Sequence, residues 1–433
     1  MILLANATIL NFNPARVDKN TDVAIEGNKI IAIGRQLYSQ YPNAEAIDLQ
    51  EKIIMTGLVC AHNHFYSSLA RGILAKIEPS GNFVEMLENL WWKLDRALDD
   101  KLLYCSGMIG ALEAIKSGTT AVIDHNSSPN FIKGSLSVLK EAFEENGLRG
   151  ILCYEITNRN GKTGTNEGLD ESLDFASLVK DSELIEAAIG GHASFTLSDD
   201  SLKYISDVIK KTGKGFHIHV GEDKYDADHS KENYSKSILE RLDSFNLLND
   251  KSILAHGVWL NAKDLQILNK RNSFLVHNAR SNMNNNVGYL KSIAEVNNLA
   301  IGTDGIGADM FEETRFAYFK SKEENRNLNP SDFVNYLWCG NKILERYFNQ
   351  KFGRIAKGYT ADLIICNYNS PTPLTKENAA GHFLFGFSSQ NVESVIINGK
   401  FIYRERSFSS EIKKIYDESR RAALKMWTKM DEL

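Results

Sequence analysis

From residue 57 to residue 304 the chain alternates short apolar runs with longer stretches of helical period, the signature of βα units and a parallel sheet. The runs are GLVCAH (57–62), TTAVID (119–124), RGILCYEI (149–156), EAAIGGHA (186–193), KGFHIHV (214–220), SILAH (252–256), SFLVH (273–277) and LAIGTD (299–304). Eight strands with helices between them, in a barrel-sized segment of about 300 residues (56–356), fit an α/β chain folded as a (β/α)8 TIM barrel better than an open doubly wound sheet.

The two ends read differently. MILLANATIL, TDVAIEG and KIIAIG lie within residues 1–55, and the last two meet at Gly27-Asn28, a tight-hairpin turn. ADLIICNY and the pair VESVIING and KFIYRER lie within 357–407, with Asn398-Gly399 at the hairpin tip. Both ends together predict one small composite β-sandwich domain (1–55 and 357–407) beside a barrel over 56–356. Residues 408–433 predict a terminal helix capped by Ser409 or Ser410. Three longer excursions follow strands, at roughly 65–85, 157–172 and 221–232. In a barrel such loops stand at the C-terminal face, where ligands bind.

Composition narrows the partners. A formal charge of -5 with dispersed lysines and arginines gives no footprint for nucleic acid, so a small molecule is the expected partner. No stretch approaches the roughly 18 uncharged apolar residues of a membrane span, and the N-terminus lacks a basic leader and a cleavage site. The five cysteines are scattered, with no CxxC pair, which argues against a disulfide framework and a thiolate zinc site. A reducing cytoplasm fits this usage.

Chemistry concentrates at the strand ends. Of ten histidines, His62 and His64 close the first run, His125 follows the second, His192 ends the fourth, His217 and His219 the fifth, His256 the sixth and His277 the seventh. Asp304 ends the eighth. Strand residues two apart face the same side, so His62 and His64 can offer two nitrogens to one point. Either His217 or His219 can complete the set, and His219, three residues before Glu222, is favoured. A lone HxH is weak evidence, but clustered imidazoles need partners when buried. Imidazole and carboxylate suit Zn or Fe, and a catalytic site keeps one position for water.

The segments HNH (62–64), HVGE (219–222), AH (255–256), HNARSNM (277–283) and GTDG (302–305) together resemble the mononuclear, deaminase-like branch of the amidohydrolase superfamily. CAHNHFYSSLARG, DHNSSPN and GGHASFTLSD are most similar to the SsnA-type aminohydrolases. The resemblance implies that His62, His64, His219 and Asp304 bind one divalent metal, Zn2+ first and Fe2+ as the alternative. One metal is implied because IGGHASF lacks the fourth-strand lysine that bridges two metals in binuclear members. It further implies that Glu222, His256 and Asp304 act on water and substrate, and that His192 contacts substrate. Glu85 matches a sugar-binding acid of related nucleoside deaminases, and Arg71, Trp91 and His125 join it as candidate substrate residues.

The implied reaction is attack of a metal-bound hydroxide on an sp2 carbon of a purine-like or related nitrogen heterocycle, releasing ammonia. Cyclic-amide hydrolysis and triazine-type displacement of chloride or an amine are the alternatives, and a homodimer is the candidate assembly. A non-catalytic scaffold of the same fold is the reading from another class. It predicts lost ligands, and all six central residues are present.

Overall fold

The computed structural model describes residues 1–409 and 411–433. Each apolar run carries one parallel barrel strand: β1 (Leu58–Asn63), β2 (Thr119–Asn126), β3 (Arg149–Ile156), β4 (Ile189–Ala193), β5 (Phe216–Val220), β6 (Ile253–His256), β7 (Phe274–His277) and β8 (Leu299–Ile301). They pair in chain order from β1 to β8. The fourth run is broken, with a short strand, Ile185–Ala187, pairing with β3 ahead of β4. These strands are buried on both faces, against small apolar side chains such as Val59, Ala121, Ile151 and Ala300 inside and against helices outside. Double burial explains why their sequences run apolar rather than alternating.

The ring closes between β8 and β1. The amides of Thr303 and Asp304 donate to the His62 carbonyl at 3.0 and 3.1 Å, and Asn63 bridges Asp304 in parallel register. A Cβ on Gly302 would lie 2.7 Å from the His62 amide nitrogen, so only glycine allows this approach. The helix Pro330–Phe348 closes the opposite end, with Ile343, Leu344 and Tyr347 in the interior cluster.

Both termini build a second sheet of nine strands, chiefly antiparallel, in which Ile53–Thr56 pairs antiparallel with Leu363–Cys366. The sheet curls around its own core of Leu4, Ile9, Val23, Ile54, Leu363 and Ile396. Its two predicted hairpin tips touch: a Cβ on Gly399 would fall 2.0 Å from the Gly27 carbonyl. Arg149, fully buried at the start of β3, ties this sheet to the barrel. Its guanidinium donates to both carboxylate oxygens of Asp362 at 2.7 and 3.2 Å and to the Glu183 carbonyl at 2.6 Å.

Two predicted excursions are largely helical. Residues 157–172 enter the helix Gly161–Leu178, which buries Leu169, Phe175 and Ala176, and 221–232 enter Lys224–Tyr234, capped by the Asp223 side chain at the Tyr225 amide. Their glycines, asparagines and acids masked a helical stripe that only packing reveals. The first excursion does hold an exposed run, 71–82, before the short helix Phe83–Met86. The terminal helix is Ile412–Asp431 with Glu411, not Ser409, at the cap position, and Ser410 lies outside the described residues.

Removing one member of a buried ion pair leaves the other charge uncompensated, a loss of about 3–5 kcal/mol. Asp362→Ala is therefore expected to lower unfolding stability by about that amount in denaturant titrations. A loss below about 1 kcal/mol, typical of an exposed pair, would contradict the clamp.

Candidate metal and substrate site

Strand ends at the barrel mouth carry the polar cluster, and hydrogen bonds to each imidazole's Nδ1 decide what its other nitrogen presents. His64 Nδ1 lies 2.6 Å from the His125 carbonyl, and His219 Nδ1 lies 2.7 Å from the His192 carbonyl. A carbonyl only accepts, so both Nδ1 atoms donate and both neutral rings turn a lone pair on Nε2 into the site. Those two Nε2 atoms are 3.2 Å apart, and His64 Nε2 is 2.9 Å from Asp304 Oδ1. Two lone pairs and a carboxylate at such distances require a cation among them.

His62 reaches the same point through a relay. Its Nδ1 is 2.9 Å from His217 Nε2, His217 Nδ1 is 3.5 Å from Cys153 Sγ, and that thiol donates to the Asp124 carbonyl at 3.6 Å. Because the terminal carbonyl only accepts, the chain leaves His62 Nε2 as a lone pair. That nitrogen is buried without a hydrogen-bond partner and lies 3.7 Å from Asp304 Oδ1. His256 donates from Nδ1 to Asn282 Oδ1 at 2.9 Å, and its unpartnered Nε2 lies 3.5 Å from Glu222 Oε2. The donor atoms of His62, His219, His256 and Asp304 all fall within 4.8 Å of one another.

Titration behaviour follows this layout. Burial lowers His62 to about 3 and holds His219 well below the ordinary imidazole value. Burial also opposes charge on His64, but the adjoining Asp304 carboxylate outweighs it and raises that ring to about 9. A proton on His64 thus fills the cation's place, and a divalent ion held by the same atoms would displace it. The orphaned nitrogens, the carboxylate and the enforced tautomers fit a divalent metal such as zinc. His256 and Asp304 both adopt left-handed backbone conformations, φ 73 and 54, which cost non-glycine residues of order 1–3 kcal/mol each.

A solvent-connected cavity opens over these atoms. His64, His219, Glu222 and Asp304 line it together with His192, Trp92 and Leu87. The remaining candidates lie apart from it. His125 faces the barrel wall, with Nε2 3.1 Å from the Gly191 carbonyl, because β2 turns its ring behind His64 and not into the cavity. Glu85 is exposed and accepts from the Gly81 amide at 2.6 Å, since the helical turn that aims Phe83 and Leu87 inward sends residue 85 outward. Arg71 pairs with Glu113 at 2.6 Å, beside a second cavity that shares His64, Ser67, Trp91 and Gly305 with the first. His277 is buried against Tyr289 and does not line the main cavity.

Sequence reasoning missed Asp95, Glu155 and Arg159, which all line the cavity. A lone acid ending an otherwise apolar strand was the available signal for Glu155. Nothing local marks Asp95, which reaches Arg159 only through the fold, at 2.6 Å.

Losing the partner of a metal-binding histidine typically weakens metal affinity about 10–100-fold. His217→Leu is therefore expected to weaken zinc binding by about that factor in chelator competition. Unchanged affinity would contradict the relay to His62.

The Amidohydrolase family pattern matches residues 53–402. A 5-methylthioadenosine/S-adenosylhomocysteine deaminase of Thermococcus sibiricus is 30% identical over 410 residues, 93% of each chain. A zinc-bound adenosine deaminase of Xanthomonas campestris superposes with a TM-score of 0.86 at 22% identity, covering 99% of this chain and 98% of that one. The zinc complex of atrazine chlorohydrolase TrzN from Arthrobacter aurescens gives a TM-score of 0.81 at 17% identity, covering 98% and 100%. With a family pattern over most of its length, and a relative matched nearly end to end, this chain belongs to the amidohydrolase family.

Proposed function

We propose that the chain is an aminohydrolase that removes an exocyclic amino group from a purine-like or related nitrogen heterocycle. The observation that carries this reading is the facing pair of imidazole lone pairs, His64 and His219, beside Asp304 and adjacent to the Glu222–His256 pair. His62, His64, His219 and Asp304 would hold one divalent metal, with zinc preferred because three imidazoles and one carboxylate suit it. When bound, such an ion lowers the pKa of water from 15.7 toward about 7 and so supplies a nucleophile at neutral pH.

The chain's own groups do the rest. Glu222, which burial holds above the usual carboxylate range, accepts the proton of the attacking water at Oε2 and returns it to a ring nitrogen. His256, fixed by Asn282, hydrogen-bonds the incoming oxygen, and Asp304 keeps that oxygen oriented. A C–O bond forms at the sp2 carbon, Glu222 carries the remaining hydroxyl proton to the exocyclic nitrogen, and the C–N bond breaks to leave a ring carbonyl and ammonia. His192, held by Thr196 Oγ1 at 2.8 Å, presents its other nitrogen to the heterocycle, and Trp91 flanks the ring.

No described helix is long and apolar enough to cross a membrane. All five cysteines are buried and unpaired, which supports a reducing cytoplasm. An exposed aromatic group, Phe316, Phe319 and Phe385, supports a homodimer.

Glu222→Gln is expected to keep one equivalent of zinc while ammonia release from the best substrate in a purine, pyrimidine and pterin screen falls by about 10² to 10⁴. Near-normal turnover would remove Glu222 from the mechanism. His62→Ala is expected to lose the metal on dialysis, and full retention at unchanged affinity would remove His62 from the ligand set.

A further inference from the structure

The cavity wall beyond His192 is built from charges that the proposed reaction does not use. Asp95 and Glu155 have side chains only 1% and 3% exposed, and Arg159 is 13% exposed. One guanidinium nitrogen, Nη2, serves both acids, at 2.6 Å from Asp95 Oδ2 and 2.9 Å from Glu155 Oε1, and also meets Ser127 Oγ at 3.1 Å. The guanidinium lies 4.8 Å over the Trp92 ring, a cation–π contact that commits its face as well. Asp95 Oδ1 is buried without any hydrogen-bond partner. Burial pushes Asp95 up to about 6 even with Arg159 beside it, whereas on Glu155 the opposing cost of burial is outweighed by His192, His125 and Arg159, which hold that carboxyl well below its usual range.

This wall adjoins the reacting centre. Polar atoms of Glu155, His192 and His219 lie within 4.8 Å of one another, and the Trp92 and His192 rings are 6.2 Å apart. A ring held against His192 therefore lies beside the wall. Among the charged side chains lining the cavity, four are acids (Asp95, Glu155, Glu222 and Asp304) and only Arg159 is a permanent cation. An anionic substituent would find that cation already spent on two carboxylates, and like charges brought together cost several kcal/mol. An N–H or amino edge would instead meet the acids of the wall, of which Asp95 keeps one oxygen without a hydrogen-bond partner.

We infer that Asp95, Glu155 and Arg159 form a recognition wall that selects a neutral or cationic heterocycle with a hydrogen-bond-donor edge and turns away substrates bearing a carboxylate or phosphate. This rests on reading the cavity as the substrate site of a heterocycle hydrolase. The three residues determine specificity and take no part in the chemical step.

The wall can be tested without knowing the substrate. Equilibrium dialysis of the zinc-loaded protein against radiolabelled sulfate is expected to show little binding by the wild type. Asp95→Asn and Glu155→Gln each release Arg159 from one acid and are expected to raise sulfate affinity by about tenfold or more. Wild-type binding as tight as the variants', or no gain in whichever variant retains its zinc and its fold, would overturn the wall. A second readout uses only the wild type, comparing ammonia release from adenosine and from adenosine 5′-monophosphate, one ring without and with a phosphate. The neutral compound is expected to be favoured in kcat/KM by about a hundredfold, and equal or better turnover of the phosphate would also overturn the wall. If no neutral ring in the screen releases ammonia, the deaminase reading fails, and the sulfate measurement still decides the wall.

Discussion

Two imidazole nitrogens that cannot both be comfortable without a cation govern this site. His64 and His219 are each fixed through Nδ1 to a main-chain carbonyl, and their Nε2 lone pairs face one another at 3.2 Å. Neither ring can switch tautomer without breaking a buried hydrogen bond, so the repulsion is built in and a positive charge must relieve it. Asp304 deepens the demand, and His62 and His256 add two orphaned nitrogens to the same few ångströms. A barrel that buries so many unsatisfied acceptors spends stability unless an ion repays the cost.

The surrounding fold serves that convergence. Closure at β8–β1 through the His62 carbonyl places Asp304 next to the HxH pair, and Gly302 leaves room for the two strands to meet. The left-handed backbones of His256 and Asp304 mark where strand geometry yields to the needs of the site. Farther out, the Arg149–Asp362 pair fixes the terminal sheet to β3, the strand that also carries Glu155 one residue before its end. Over the mouth, Phe83, Leu87 and Trp91 come from a run with no buried residue, containing a π-helical turn at Leu87–Trp91. Such turns recur at functional positions and here bring three side chains spaced four apart onto the cavity.

Much of this arrangement was legible in the chain. The eight strands showed as apolar runs, and the histidines ending them gave the mouth of the barrel before any coordinate did. Other features were hidden for identifiable reasons. The helix Gly161–Leu178 opens on GKTGTNEG, which reads as a loop until Phe175 and Leu169 find a core. His125 and His277 share the strand-end position of the site histidines, yet register turns them into the wall, and no spacing rule separates the two cases. Glu85 reads as a ligand-facing acid and serves as a local cap partner. Asp95 and Arg159, 64 positions apart, become neighbours only through tertiary structure, so their wall had no sequence signature.

The chemistry proposed for this mouth turns on one metal held by His62, His64, His219 and Asp304. An anomalous-difference map from zinc-loaded crystals, recorded at the zinc edge, tests it most directly. The account predicts a single strong peak at the barrel mouth, about 2.0–2.2 Å from Nε2 of the three histidines and from an Asp304 carboxylate oxygen. A peak held instead with His256 in place of His64, by His64, His125 and His219, or by Glu155, His192 and His219, the sets whose donor atoms converge, would contradict it, as would no peak at the mouth at all.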